Sequence, residues 1–389
     1  MNINTKLPAV GTNIFTIMSK LAADHDSINL GQGFPDFNTD PALLSLVSQA
    51  MAAGHNQYPF MTGVPALRQT IAEKMFRTSG HQYDIDQEVT VTSGATEALM
   101  AGIISCVGPG DEVIILEPCY DSYIPAITLA GATPVSVPLS PPTSPSTNFS
   151  IDWTRVAAHI TSSTKLLILN FPHNPTGAVL TDTDLDELER LGEKHDLLFM
   201  SDEVYEHIVF TEGGHKSLAS RPALVARTFL ISSFGKTTHT TGWKLGYCCA
   251  PPKLTTELRK VHQFMVFTVP SPFQHAMAQY CKNPETYQNL SAFYQQKRDY
   301  LANGLKQTRF KPLPCYGTFF LLADYSDISD LPEADFSVWL TKNHGVTVIP
   351  VSAFYSEPLA STSNHAIVRF CFAKQPATLN AAIDRLMKV

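Results

Sequence analysis

From about residue 40 to 250 the chain alternates between two hydrophobic periods. Short apolar runs at 88–92, 112–116, 133–137, 166–169, 197–201, 228–232 and 245–250 read as strands. Between them lie stretches with helical spacing, clearest at 65–76, 96–106 and 182–195. A run that is apolar on both faces suits a strand covered on both sides, and parallel pairing needs the crossovers that such helices supply. The pattern therefore predicts an α/β fold with a mostly parallel sheet between helical layers. Beyond about residue 255 it changes to long helices at 253–267, 284–307, 334–343 and 376–387, with strands at 318–323, 347–349 and 367–372. That predicts a second, smaller α+β domain. The expected division is an N-terminal arm and part of the small domain over 1–40, a large domain over 41–280 and a small C-terminal domain over 281–389.

Composition narrows the class. The chain has 389 residues, 44% hydrophobic and 16% charged, which excludes a mainly disordered polymer and leaves room for two or three domains. The net charge of −7, with no block of Lys or Arg, points to neither nucleic acid nor an anionic membrane. Seven scattered cysteines without CxxC spacing read as buried reduced thiols. Residues 1–11 lack a basic segment followed by an apolar run, and no apolar stretch is long enough to span a bilayer, so the expected compartment is the cytoplasm. The Pro/Ser-rich segment at 140–146 reads as a surface loop.

In an open α/β sheet, ligands sit beyond the carboxyl ends of the strands. The first predicted strand runs into Ser93-Gly94-Ala95-Thr96-Glu97, a small-residue turn whose backbone N–H groups, opening a helix, suit a phosphate. Strand 166–169 leads into Asn170-Phe-Pro-His-Asn174-Pro-Thr-Gly177, and strand 197–201 into Asp202-Glu-Val-Tyr205. Strand 228–232 leads into Ser233-Phe-Gly-Lys236-Thr237, with Gly242-Trp-Lys244-Leu-Gly246 close behind. Each has an ordinary reading too: a helix cap, a tight turn, a solvated lysine. A phosphate turn, an amide, a carboxylate with a phenol and two lysines at successive strand ends, all on one sheet edge, together point to a site.

With these motifs the sequence resembles the fold-type I, class I pyridoxal-phosphate aminotransferases. The matching stretches are Asn29-Leu-Gly-Gln-Gly-Phe-Pro-Asp-Phe37, Asn174-Pro-Thr-Gly177, Asp202-Glu-Val-Tyr205, Ser232-Ser-Phe-Gly-Lys-Thr237, Thr241-Gly-Trp-Lys-Leu-Gly246 and Val368-Arg-Phe-Cys-Phe372. The subgroup it looks most like is that of the kynurenine, glutamine and methionine aminotransferases. The resemblance implies a seven-stranded, mostly parallel sheet flanked by helices, a smaller α+β domain, and pyridoxal 5′-phosphate as cofactor.

Residue by residue, it implies that Lys236 binds the cofactor covalently and shuttles a proton, and that Asp202 pairs with the ring nitrogen. Tyr205 and Asn174 would hydrogen-bond the ring oxygen, and Tyr120 would stack on the ring. Gly94, Ala95, Thr96, Ser233 and Lys244 would hold the phosphate; many members carry Arg where Lys244 stands, and Lys supplies the charge without the fork. Tyr58 would reach a partner subunit's phosphate, making the active unit a homodimer with sites at the interface. Arg369, helped by Asn174 and the Gly33 backbone, would clamp the substrate carboxylate. No second arginine is found for a side-chain carboxylate, and Phe15, Tyr58, Tyr120, Phe267 and Phe354 would form an aromatic wall.

The expected reaction is thus ping-pong transfer of the amino group of methionine, phenylalanine, tyrosine or a similar neutral amino acid to a 2-oxo acid. A cysteine-conjugate β-lyase is an alternative on the same cofactor. A P-loop nucleotide hydrolase is a distant one, suggested by Gly235-Lys236-Thr237 but lacking the glycine that its motif needs at Leu230. No metal-ligand spacing and no GxSxG or HExxH motif is found.

Overall fold

All seven apolar runs of the first 250 residues become strands of one sheet in the computed structural model, which describes residues 3, 5–8, 10–144, 146–356 and 365–389. Residues 1, 2, 4 and 9 of the N-terminal stretch and Pro145 of the Pro/Ser-rich loop lie outside the described residues. A short strand, β1 (Ile28–Asn29), comes first and pairs elsewhere. The sheet is built from β2 (Val89–Thr92), β3 (Glu112–Glu117), β4 (Thr133–Pro138), β5 (Thr164–Asn170), β6 (Leu198–Asp202), β7 (Thr228–Ser233) and β8 (Gly246–Cys249), in the order β2-β8-β7-β6-β5-β3-β4. Every pairing is parallel except those of β8, which runs antiparallel to β2 and β7.

That one reversal matters for the site. Asn170 pairs with Asp202 at the carboxyl ends of β5 and β6, and Gly246 at the start of β8 pairs with both Thr92 and Ser233. The residues just before β8 therefore reach the same edge as the residues just after β2, β5, β6 and β7. The apolar faces of the sheet are covered by helices, as its continuous hydrophobic runs require. Helix Asp182–His195 shows the local logic: Leu185, Leu188 and Leu191 repeat on its buried face, and Thr181 and Asp184 form a reciprocal capping box at its start.

The C-terminal part holds a four-stranded antiparallel sheet. It is formed by β9 (Lys311–Pro312), β10 (Phe320–Asp324), β12 (Ile349–Pro350) and β13 (Ile367–Cys371), in the order β12-β13-β10-β9. Between β10 and β12 in sequence lies β11 (Val346–Thr347), which pairs with β1 instead. Strand 347–349 was expected as one element; it splits at Val348 because its halves serve different sheets. Helix 284–307 likewise divides into Glu285–Gln288 and Leu290–Leu305, at Asn289, whose ψ of −5° turns its carbonyl away from helical register. Helices Ile14–Asp24, Pro41–Ala52, Tyr123–Ala130 and Ser271–Tyr280 were not expected.

Packing joins the two sheets. The core beneath the four-stranded sheet, with Phe319, Phe320, Phe336 and Phe370, also takes in Val204, Tyr205 and Ile208 from the loop after β6. Among the described residues no helix is long and apolar enough to cross a membrane.

Candidate active site

A cleft of about 260 Å³ opens where the carboxyl edge of the seven-stranded sheet meets β10 and β13. Thirteen of the expected residues line it: Phe15, Gly33, Gly94, Ala95, Thr96, Tyr120, Asn174, Asp202, Tyr205, Ser233, Lys236, Lys244 and Arg369.

One end is built for an anion. Gly94 begins helix Gly94–Cys106 with φ of +70°, a backbone conformation that favours glycine, and leaves the first N–H groups of the helix facing the cleft. The Lys244 ammonium lies 3.4 Å from where a Gly94 side chain would begin. Gly246 permits this closeness, because a Cβ there would stand 2.7 Å from the Gly94 carbonyl carbon and 2.9 Å from the Ala95 nitrogen. Ser233 and Thr241 close the far side. Helix dipole, free N–H groups and a lysine together make a phosphate cradle.

The floor carries a buried carboxylate. Tyr123 donates to Asp202 Oδ2 at 2.7 Å, and the Val204 N–H to Oδ1 at 3.4 Å. Burial pushes the Asp202 pKa up to about 6, against the pull of the Tyr123 bond and of the Lys236 charge. Asn170 Nδ2 donates to the Asp202 carbonyl at 2.9 Å, while its Oδ1 accepts the Asn174 N–H at 3.0 Å. One amide side chain thus ties the end of β6 to the turn after β5. His173 beside it is buried, bonds Thr176 Oγ1 at 2.7 Å and is kept neutral by burial, so it braces the turn.

Lys236 sits on the short helix Phe234–Thr237 directly after β7. Its Nζ donates to the Gly33 carbonyl at 3.3 Å and stands 5.6 Å and 5.1 Å from the Tyr205 and Phe319 rings. Burial draws its pKa down to about 8, and the positive charges of Arg369 and Lys244 act in the same direction. A neutral amine is therefore accessible near neutral pH, as a nucleophile or a base requires. The Tyr205 ring is buried between Lys236 and the Phe319 edge, and burial holds its phenol protonated.

Arg369 comes from the middle of the four-stranded sheet, 1% exposed. It donates to Asn174 Oδ1 at 2.6 Å and to the Gly31 carbonyl at 2.9 Å. Its guanidinium stacks 3.8 Å from the Phe320 ring, with Phe354 at 4.9 Å and Phe15 at 5.2 Å, and its Nε is buried without a hydrogen-bond partner. Among the described residues no carboxylate forms an ion pair with it. A buried guanidinium left unneutralised is poised for an anion. Gly31 supplies its backbone partner, while Gly33 lines the cleft with its carbonyl accepting from Lys236.

Two expected residues stand apart. Tyr58, 82% exposed, and Phe267 lie edge to face at 5.4 Å outside this cleft, with the exposed Phe60 beside Tyr58. Phe267 does not line this chain's own cleft and packs instead on Tyr58. Sequence reading missed Asn170, Tyr123 and Phe320. Asn170 was visible four residues before Asn174; Tyr123 and Phe320 carried no signal that separates them from core aromatics.

The arrangement offers an anion cradle, an acid under a ring-sized space, a phenol, an amine of lowered pKa and a carboxylate receptor. The family model for aminotransferase class I and II matches residues 25–386. The chain is 48% identical to a methionine aminotransferase of Escherichia coli, over 99% of this chain and 98% of that protein. It is 37% identical to a mouse kynurenine–oxoglutarate transaminase, over 98% of this chain and 96% of that one. Among solved structures, an Escherichia coli protein whose reactivity identifies a methionine aminotransferase function superposes with a TM-score of 0.96 at 47% identity, and an N-succinyldiaminopimelate aminotransferase from Mycobacterium tuberculosis with 0.94 at 39%, each covering all of both chains. Neither the β-lyase nor the nucleotide-hydrolase alternative is favoured by these likenesses.

Proposed function

Because the chain belongs to the class I and II aminotransferase family, we propose that it transfers the amino group of a neutral apolar or aromatic amino acid, methionine foremost, to a 2-oxo acid by a ping-pong route. The family's cofactor is pyridoxal 5′-phosphate. The residues present suit it: a cradle at Gly94 and Lys244 for a phosphate, a buried acid at Asp202 for a basic nitrogen, and Lys236 for a carbonyl carbon. When bound, it supplies the electron sink that lets a substrate Cα lose its proton.

The chain's own groups do the rest. Arg369 grips the substrate carboxylate through its planar fork and fixes the direction of the Cα–H bond. Lys236 Nζ, with its lowered pKa, takes that proton and returns it on the cofactor side. Asp202 would keep the ring nitrogen positive, Tyr205 and Asn174 would hold the ring oxygen, and Tyr120 would cover the ring face. The aromatic rings of Phe15, Phe320 and Phe354 around Arg369 exclude water from the carboxylate contact.

One observation carries the substrate class. The cations lining the cleft, among the described residues, are Lys236, Lys244 and Arg369, and each already has a task. None is left for a second carboxylate. A panel of amino acids assayed against one 2-oxo acid tests this: methionine, phenylalanine and tyrosine should exceed aspartate in kcat/KM, and the reverse order refutes the reading.

The exposed Tyr58, its edge-to-face partner Phe267 and neighbouring Phe60 support a homodimer in which Tyr58 reaches the other subunit's phosphate. Sedimentation equilibrium would show a dimer; a stable monomer with full activity would refute it. Seven unpaired thiols support a reducing, cytoplasmic compartment.

A further inference from the structure

Tyr123 belongs to no motif that pointed to the site, yet it makes the strongest side-chain contact of the buried acid. It stands at the start of helix Tyr123–Ala130, one turn beyond Tyr120, with its N–H donating to the Tyr120 carbonyl at 3.3 Å. The two rings meet edge to face at 5.7 Å. The turn therefore delivers two aromatic groups at once: Tyr120 lines the cleft, and Tyr123 passes beneath it to reach Asp202 Oδ2 at 2.7 Å.

We propose that Tyr123 is a positioning residue for the cofactor, its phenol holding Asp202 ionised and turned so that the carboxylate faces the ring nitrogen. The proposal rests on the assignment of Asp202 to that nitrogen. Asp202 is buried, and its other side-chain contact, with the Val204 N–H at 3.4 Å, is long and cannot by itself fix the carboxylate plane. A buried carboxylate oxygen with no donor is costly, and its group escapes that cost by taking a proton. A protonated Asp202 would meet a basic ring nitrogen without the opposite charge that keeps it positive. Tyr123 stays a donor, because burial and the neighbouring Asp202 raise its own pKa well above the ordinary phenol value.

The test compares two ligands on the cofactor-free full-length chain: pyridoxal 5′-phosphate, and its deaza analogue with carbon in place of the ring nitrogen. Dissociation constants are read by fluorescence titration for the native chain, Tyr123→Phe and Asp202→Asn. Loss of a hydrogen bond to a charged group should weaken pyridoxal 5′-phosphate on the order of ten- to hundredfold in Tyr123→Phe, with the analogue unchanged. Equal weakening of both ligands would mean a merely structural role and would overturn the proposal, as would no weakening of either. Asp202→Asn reads the underlying assignment separately. If it also treats the two ligands alike, Asp202 does not serve the ring nitrogen, and the role of Tyr123 falls with it; if Asp202→Asn discriminates and Tyr123→Phe does not, only the Tyr123 proposal fails.

Discussion

Arg369 and Asn174 are joined by a 2.6 Å hydrogen bond that crosses from the four-stranded sheet to the turn after β5 of the seven-stranded one. The amide oxygen orients the guanidinium without neutralising it, so the positive charge remains for a ligand. Arg369→Lys keeps the charge and loses the fork. Steady-state kinetics should show kcat/KM for methionine falling roughly 10–100-fold with cofactor content preserved. Unchanged kinetics would remove Arg369 from the carboxylate contact.

Asp202 gives a pH-dependent stability signature in the cofactor-free chain. Its pKa rises from an ordinary 3.8 to about 6 because of burial. Between those values the folded chain holds a proton that the unfolded chain gives up, so its contribution to stability falls as pH rises through that window and stays low above it. Asp202→Asn should therefore stabilise the cofactor-free chain by about 2–3 kcal/mol at about pH 8, with the gain vanishing toward about pH 4. Thermal unfolding across pH measures this, and a lower Tm for the variant at high pH would contradict it.

Lys236 predicts a rate profile. Burial lowers its ammonium pKa to about 8, and the neutral amine is the reactive form. Covalent uptake of pyridoxal 5′-phosphate by the cofactor-free chain, followed by absorbance in rapid mixing, should rise through about pH 8 and then level. A rate still climbing at about pH 10 would indicate an ordinary, solvated lysine.

Gly246 is the point where β8 passes closest to the anion cradle. A methyl group there meets backbone atoms of Gly94, Ala95 and Ser232 at 2.7–2.9 Å, none of which can rotate away. Gly246→Ala should lower stability by about 1–3 kcal/mol and weaken cofactor retention together. Denaturant melts and dialysis against phosphate buffer would measure the two effects; a variant that loses neither would show that the cradle has slack.

Much of this is legible in the sequence. The seven short apolar runs became the large sheet, and Asp202, Asn174 and Lys236 are polar residues in the turns that follow three of them, where an open α/β sheet binds its ligands. What escaped depended on partners distant in sequence. Strand 347–349 splits because Thr347 pairs with Asn29 and Ile349 with Arg369, and no local pattern encodes that. Tyr123 and Phe320 look like core aromatics until Asp202 and Arg369 are seen beside them. Phe267 lies on the exposed surface beside Tyr58, and an exposed and a cleft-lining aromatic read alike in sequence.

Lys236 and Lys244 both line the cleft, and the proposed chemistry requires the cofactor on Lys236. Borohydride reduction of the cofactor-loaded protein followed by peptide mass mapping answers this directly. The label should sit on Lys236, and Lys236→Ala should lose both the label and turnover while unfolding with a normal cooperative transition. A label on Lys244, or turnover near the native rate in Lys236→Ala, would contradict the account.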